Sequence, residues 1–378
     1  MKPRKGGLLL TPYWISLVLA VGFMLAAQKT AQPSNGKLAL KTWGGRDGRT
    51  YSRWGVVASA AVFILLTGFR YGIGQDYFYT YVPYFEQVRM GIAPPDIEVG
   101  YYLLNWAVSR FTDDPTPVFL FCSIVFIGLT YAAIMRESSH PVLSVFLLFG
   151  MSFLFIFMNA MRQMTAVALL LFSIRYIEER RLAPFIACVA LSSTFHGSSV
   201  LFLVAYLLPK LKINIPVCVV LTMAFLAFKS QIASIVNLII EQTQYSGYIG
   251  SIFDTGETGS VIIAMNAVVL LFAAVAPRLF GEEYSERYKL LLWCQLIATL
   301  IAILSGAIPL SQRIRWIFAL PAIILLPLAI DAIGDKRAKF LVQITVVVLY
   351  VAYIAITIGL WNGNNVVPYQ SVFFRNVV

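Results

Sequence analysis

Eleven apolar runs, roughly residues 8–27, 54–69, 115–135, 141–158, 160–177, 182–208, 213–240, 259–276, 289–308, 314–331 and 340–360, divide this chain and leave mostly short polar connections between them. About 20 apolar residues are needed for a helix to cross a hydrocarbon core, so the pattern predicts an all-α, polytopic membrane bundle of about 10–12 helices. Composition agrees. Hydrophobic residues make up 59% of the 378 and charged residues 12%, with mean hydropathy +0.77, against about 45–50% and about 25% in soluble domains. A soluble enzyme is excluded. The chain reads as one integral membrane domain over 1–378, with little left over for an extramembrane fold.

A net charge of +11 would point to nucleic acid in a soluble protein, but in a polytopic chain it first reflects the preference of Lys and Arg for the cytoplasmic side. No nucleic-acid partner is expected. The 29–53 connection carries Lys29, Lys37, Lys41, Arg46, Arg49 and Arg53, against Lys2, Arg4 and Lys5 before the first run. This predicts a cytoplasmic 29–53 loop, an external N-terminus and an external 70–114 loop with interfacial or re-entrant helices. Arg136, Glu178-Glu179-Arg180-Arg181, Lys210/Lys212, the 277–289 loop and Lys336/Arg337/Lys339 then fall inside. Both 178–181 and 210–212 ask to be cytoplasmic with one run between them. Either 182–208 is a hairpin with Thr194–Ser199 at its tip, or it spans once and the next run breaks at Lys229.

Under this topology the external face holds Arg70, Arg89, Arg110, Arg162, Arg313, Arg315 and Arg375. Arginine binds phosphate with a rigid fork and tolerates desolvation better than lysine, so such a face suits an oxyanion; snorkelling to the interface is the bland alternative. Arg162 lies in Met158-Asn159-Ala160-Met161-Arg162-Gln163. A helix starting near Asn159 puts Asn159, Arg162, Gln163 and Ala166 on one face. Arg313 and Arg315 form a second candidate anion clamp.

Ionisable groups at membrane depth are functional candidates because leaving them unpaired is costly. The chain has two histidines. His140 falls in a cytoplasmic turn, whereas His196 stands mid-way along an apolar run, where an imidazole is able to exchange a proton with a hydroxyl. Asp76 and Glu98 are alternative bases, or structural partners of Arg70 and Arg110. Tyr77, Tyr81 and Tyr101 belong to an aromatic-rich external segment that suits stacking on sugar rings, although aromatic belts are common at interfaces. Cys122, Cys188, Cys218 and Cys294 are each isolated in apolar stretches, without metal or disulfide spacing. No Gly-rich phosphate loop is present, and neither a cofactor nor a metal is expected.

The ordered set Arg70…Gly74-Gln75-Asp76-Tyr77…Tyr81, Glu98-Val99-Gly100-Tyr101, Arg162-Gln163-Met164-Thr165-Ala166, Phe195-His196-Gly197-Ser198 and Pro368-Tyr369 resembles the EpsG family of bacterial exopolysaccharide synthesis, related in role to Wzy-type polymerases. The resemblance covers roughly 54–375. It implies a nucleotide-independent glycosyltransferase of the bacterial inner membrane, polymerising oligosaccharides carried on undecaprenyl pyrophosphate at the outer face. A chain-length regulator protein is a possible partner. In that frame Arg162, Arg313, Arg315 and Arg70 would hold the pyrophosphate, helped by Asn159 and Gln163. His196, or else Asp76 or Glu98, would take the acceptor proton, and Tyr77, Tyr81 and Tyr101 would grip sugars. A single-residue transferase using a polyprenyl-phosphate sugar, or a transporter of lipid-linked glycan, are the competing readings.

Overall fold

The computed structural model describes residues 10–29, 42–44, 50–242, 260–309 and 311–374. Most of the basic 29–53 loop, the N-terminal charges and Arg375 lie outside the described residues. Among those described, five helices are long and apolar enough to cross a membrane: Thr11–Gln28, Thr116–Glu137, Ser260–Leu279, Glu286–Leu304 and Lys336–Leu360. The number rises to eight when three bent pairs are each taken as one span. This is fewer than the apolar runs, because several runs are interrupted and Arg53–Gly68, Leu182–Ser193 and Gly197–Lys210 are short. At 1.5 Å per residue, the 16 residues of Arg53–Gly68 reach about 24 Å, less than the apolar core. The architecture is a polytopic helix bundle, in which, among the described residues, Thr42–Gly44 pairs antiparallel with Thr50–Ser52.

The chain forms two compact units. The first comprises residues 1–174, 183–200 and 340–378. Lipid gives apolar helices no hydrophobic reason to associate, so close backbone approach and internal hydrogen bonds must join them. Ser59 supplies one such joint: its Oγ donates to the Ala20 carbonyl (2.7 Å) and bonds the Tyr131 hydroxyl (2.9 Å), tying Thr11–Lys29, Arg53–Gly68 and Thr116–Glu137 together. A Cβ on Gly55 would lie 2.6 Å from the Ala27 Cβ, so only glycine permits that crossing. Between the helices, Phe126 stacks on Phe157 at 4.4 Å and Phe149 meets Phe155 edge-on at 5.0 Å.

Two interruptions in this unit prepare the functional site. Pro141–Gly150 and Phe153–Asn159 bend by 48° across Ser152, which is left-handed at φ 66°. Ala160 (φ −106°, ψ 55°) then separates Phe153–Asn159 from Met161–Glu178. Asn159 therefore closes one helix instead of opening the next, which corrects the single polar face expected for Asn159, Arg162, Gln163 and Ala166. Met161–Glu178 leads away from this break and Leu182–Ser193 returns toward it, Ser192 Oγ bonding the Ala166 carbonyl (3.2 Å). The run predicted as 182–208 breaks at residues 194–196 and continues as a 3-10 helix, Gly197–Tyr206.

The second unit comprises 175–182 and 201–339. Ile215–Ala227 and Lys229–Glu241 meet at 77°, so the run does break next to Lys229. Asn214 caps the first of these through Val217 N–H (3.0 Å), and Ser285 caps Glu286–Leu304 through Tyr288 N–H (3.2 Å), as short polar side chains do at helix starts. Gln295 and Thr299 both bond the Asn266 carbonyl. Arg287 pairs with Glu178 at 3.2 Å and Arg180 with Glu286 at 3.0 Å.

Candidate active site

Three segments of the first unit bring one arginine, one carboxylate and one imidazole together. Glu98 immediately precedes the helix Val99–Ser109. Its Oε2 accepts from Arg162 Nη1 at 2.5 Å and its Oε1 lies 3.1 Å from His196 Nδ1. Arg162 also donates to the Asp96 carbonyl (3.3 Å) and its guanidinium lies over the rings of Tyr84 (5.3 Å) and Tyr101 (5.6 Å). The side chains of Arg162 and His196 are each 15% exposed and that of Glu98 is 22% exposed. The cluster is thus largely desolvated yet open at its edge.

The backbone explains how His196 arrives there. Leu182–Ser193 ends with Phe195 and His196 N–H both donating to the Ser192 carbonyl. Thr194 then accepts, through its carbonyl, from Gly100 N–H at 2.8 Å. A Cβ on Gly100 would sit 2.3 Å from Thr194 Oγ1 and 2.9 Å from its carbonyl oxygen. Glycine at the start of Val99–Ser109 is what lets this turn close onto Glu98. Motif reading noted Gly100 but missed its contact with Thr194; no spacing rule links residues 94 apart in the chain.

Burial pushes the Glu98 carboxyl up, but the hydrogen bond from His196 and the Arg162 charge outweigh it and hold the group below its ordinary range. A lowered carboxylate stabilises the fold above its unfolded-state pKa, about 4.3, and that contribution is lost as pH falls through the lower native value. The thermal stability of purified protein should therefore exceed that of Glu98→Gln above about pH 4.3, and the margin should shrink as pH falls below it. Melting curves of both forms across pH 3–8 measure this.

The other expected site residues have different partners or surroundings. Arg70, expected on the external face, is fully buried: it donates to the Thr67 carbonyl (2.6 Å) and the Met161 sulfur (3.4 Å), with its guanidinium 4.7 Å from the Phe119 ring centroid. It is enclosed because Phe119 and Phe157 close over it, and no surface is left for a substrate. Nor do Arg70 and Arg110 serve Glu98; Arg110 stacks on Trp106 (5.1 Å) and Arg89 pairs with Glu86 and Asp113. Tyr77 (3% exposed), Tyr81 (2%) and Tyr101 (0%) are packed inside, Tyr77 stacking on Phe119 at 4.8 Å, so their rings offer no platform to sugars. Gln163 is buried as well. Asp76 is half-buried, its backbone N–H donating to Asn159 Oδ1 at 3.3 Å. Arg313 and Arg315 belong to the second unit, on Ser311–Ala319, where Arg315 Nε donates to Gln312 (2.6 Å). Among the described residues no group of three His, Cys, Asp or Glu gathers to hold a metal.

A helix bundle with the composition of a membrane protein, holding a partly exposed Arg–carboxylate–imidazole cluster where helices start or break off, defines a class of multi-pass membrane protein with ionisable groups gathered in one place. Residues 54–371 match the model of the EpsG family, and the chain belongs to that family. Membership carries a role of the polysaccharide-polymerase and glycosyltransferase kind. Neither the curated proteins nor the solved structures searched give a match.

Proposed function

We propose that the protein is a polysaccharide polymerase that transfers an oligosaccharide repeat from undecaprenyl pyrophosphate onto a second lipid-linked glycan, at the outer face of the bacterial inner membrane. The observation that carries this reading is the meeting of Arg162, Glu98 and His196 from three remote segments. Charge placement in the sequence supports the outward orientation.

In the proposed step an acceptor hydroxyl attacks the anomeric carbon of the donor sugar. The bond from that carbon to the pyrophosphate oxygen breaks, and polyprenyl pyrophosphate leaves with the electron pair. Glu98, kept ionised, accepts from His196 Nδ1–H and so leaves Nε2 as the nitrogen that takes the hydroxyl proton; this is the division of labour between base and orienting carboxylate in hydrolytic triads. Arg162 stabilises the charge growing on the leaving group, as preorganised cations do in phosphate chemistry. Because both Glu98 oxygens are engaged, His196 is a better base than Glu98. The proposal draws on the first unit alone and needs neither nucleotide nor metal.

Reconstituted protein given purified lipid-linked repeat tests the reading. A ladder of products with release of undecaprenyl pyrophosphate is expected. Addition of a single unit would favour a branching transferase, and movement of unchanged substrate across the bilayer would favour a transporter; either contradicts polymerisation.

A further inference from the structure

We propose that Tyr81 is a positioning residue that sets Arg162 through the backbone of the helix interruption, an inference that rests on the anion-binding role given to Arg162 above. A helix that starts within an apolar surround leaves its first N–H donors unmet, and the one that stops before it leaves carbonyls. The Tyr81 hydroxyl lies between the two: it accepts from Met161 N–H at 2.6 Å and donates to the Asn159 carbonyl at 2.9 Å. One phenol, being both donor and acceptor, thereby replaces two missing backbone partners. Met161 is the residue before Arg162, so this bond fixes where the arginine side chain leaves the chain.

The segment that carries Tyr81 is built for this. Tyr77–Tyr81 is one π-helical turn, with Val82 N–H bonded to the Tyr77 carbonyl; such turns concentrate at functional sites. It buries Tyr77 and Tyr81 and turns Phe78 and Tyr79 outward. Edge-on packing against Tyr101 (6.2 Å) and Phe119 (6.0 Å) holds the Tyr81 ring, and Tyr101 also lies beneath Arg162. The preceding loop clamps the same interruption from its other side. Asn159 Oδ1 takes the Asp76 N–H. Gly74, at φ +88°, approaches so closely that a Cβ would stand 2.5 Å from the Met158 carbonyl oxygen. The Gly74…Asp76-Tyr77…Tyr81 pattern thus has a mechanical job, holding the break that aims Arg162.

The test is a double-mutant cycle on binding of farnesyl diphosphate to purified protein, by calorimetry, with wild type, Arg162→Lys, Tyr81→Phe and their double variant, and with Arg162→Ala measured beside them. Tyr81→Phe removes one oxygen and keeps the ring packing. It should weaken binding about tenfold, within the range by which a residue acting through another changes affinity, and the double variant should bind no worse than the weaker single variant, because both act through one guanidinium. Gly74→Ala, which strains the break from the loop side, should give a similar loss and serves where Tyr81→Phe yields too little folded protein. Wild-type affinity in Tyr81→Phe, or losses that multiply in the double variant, would overturn the inference while leaving the site reading intact. Unchanged affinity in both Arg162→Lys and Arg162→Ala would instead overturn the anion-binding role itself, and this inference with it.

Discussion

Alanine in place of His196 should lower polymer formation by about a hundredfold or more, the range removed with a general base, and leave the amount of protein in the membrane unchanged. Its Nδ1 faces Glu98, and loss of the ring removes the group proposed to take the acceptor proton without opening the helix core. Arg162→Ala should cost about a hundred- to thousandfold, as for a lost electrostatic donor to a developing oxyanion. Arg162→Lys should recover little, because a compact ammonium does not reproduce the planar guanidinium that lies over Tyr84 and Tyr101 and presents a phosphate-binding fork. Polymer on gels, read beside an immunoblot of membranes, distinguishes loss of chemistry from loss of protein. Normal chain length in both alanine variants would remove the assignment.

The second large effect is expected at a residue with no chemistry of its own. In Gly100→Ala the new methyl group meets Thr194 at its Oγ1, Cβ and carbonyl oxygen, the closest at 2.3 Å. Oγ1 is held by its bond to the Leu191 carbonyl (2.7 Å), and the carbonyl belongs to the turn that delivers His196, so the relief must come from moving that turn. A shift of about 1 Å at a reacting group costs on the order of a hundredfold in rate. We expect activity close to that of His196→Ala with near-normal protein level. A companion change, Thr194→Ala in the Gly100→Ala background, removes Oγ1, the nearest of the clashing atoms, and should restore part of the activity. Polymer assays on the two variants measure it.

The membrane bundle was legible because apolar runs of spanning length are hard to mistake. What stayed hidden were their interruptions. Ser152 turns left-handed and Ala160 leaves the helical region, yet neither position carries the glycine or proline that would announce a break; the break before Lys229 was visible because a charge stands there. Arg162, Glu98 and His196 stood out since ionisable groups are rare in such a chain. Their pairing did not, because 64 residues separate Glu98 from Arg162 and 98 separate it from His196, and tertiary packing alone chooses the partner. Arg70 misled for the opposite reason: a charge at a helix end looks interfacial until Phe119 and Phe157 are seen to close over it. The tyrosines misled likewise, since an aromatic-rich segment reads the same whether its rings face sugar or serve, as Tyr81 does, the backbone of a broken helix.

The most direct measurement is an experimental structure of the protein with a prenyl diphosphate-linked sugar and an acceptor glycan. The account predicts the diphosphate against Arg162 and an acceptor hydroxyl within hydrogen-bond reach of His196 Nε2. A diphosphate bound away from Arg162, with His196 facing only protein or lipid, would contradict it.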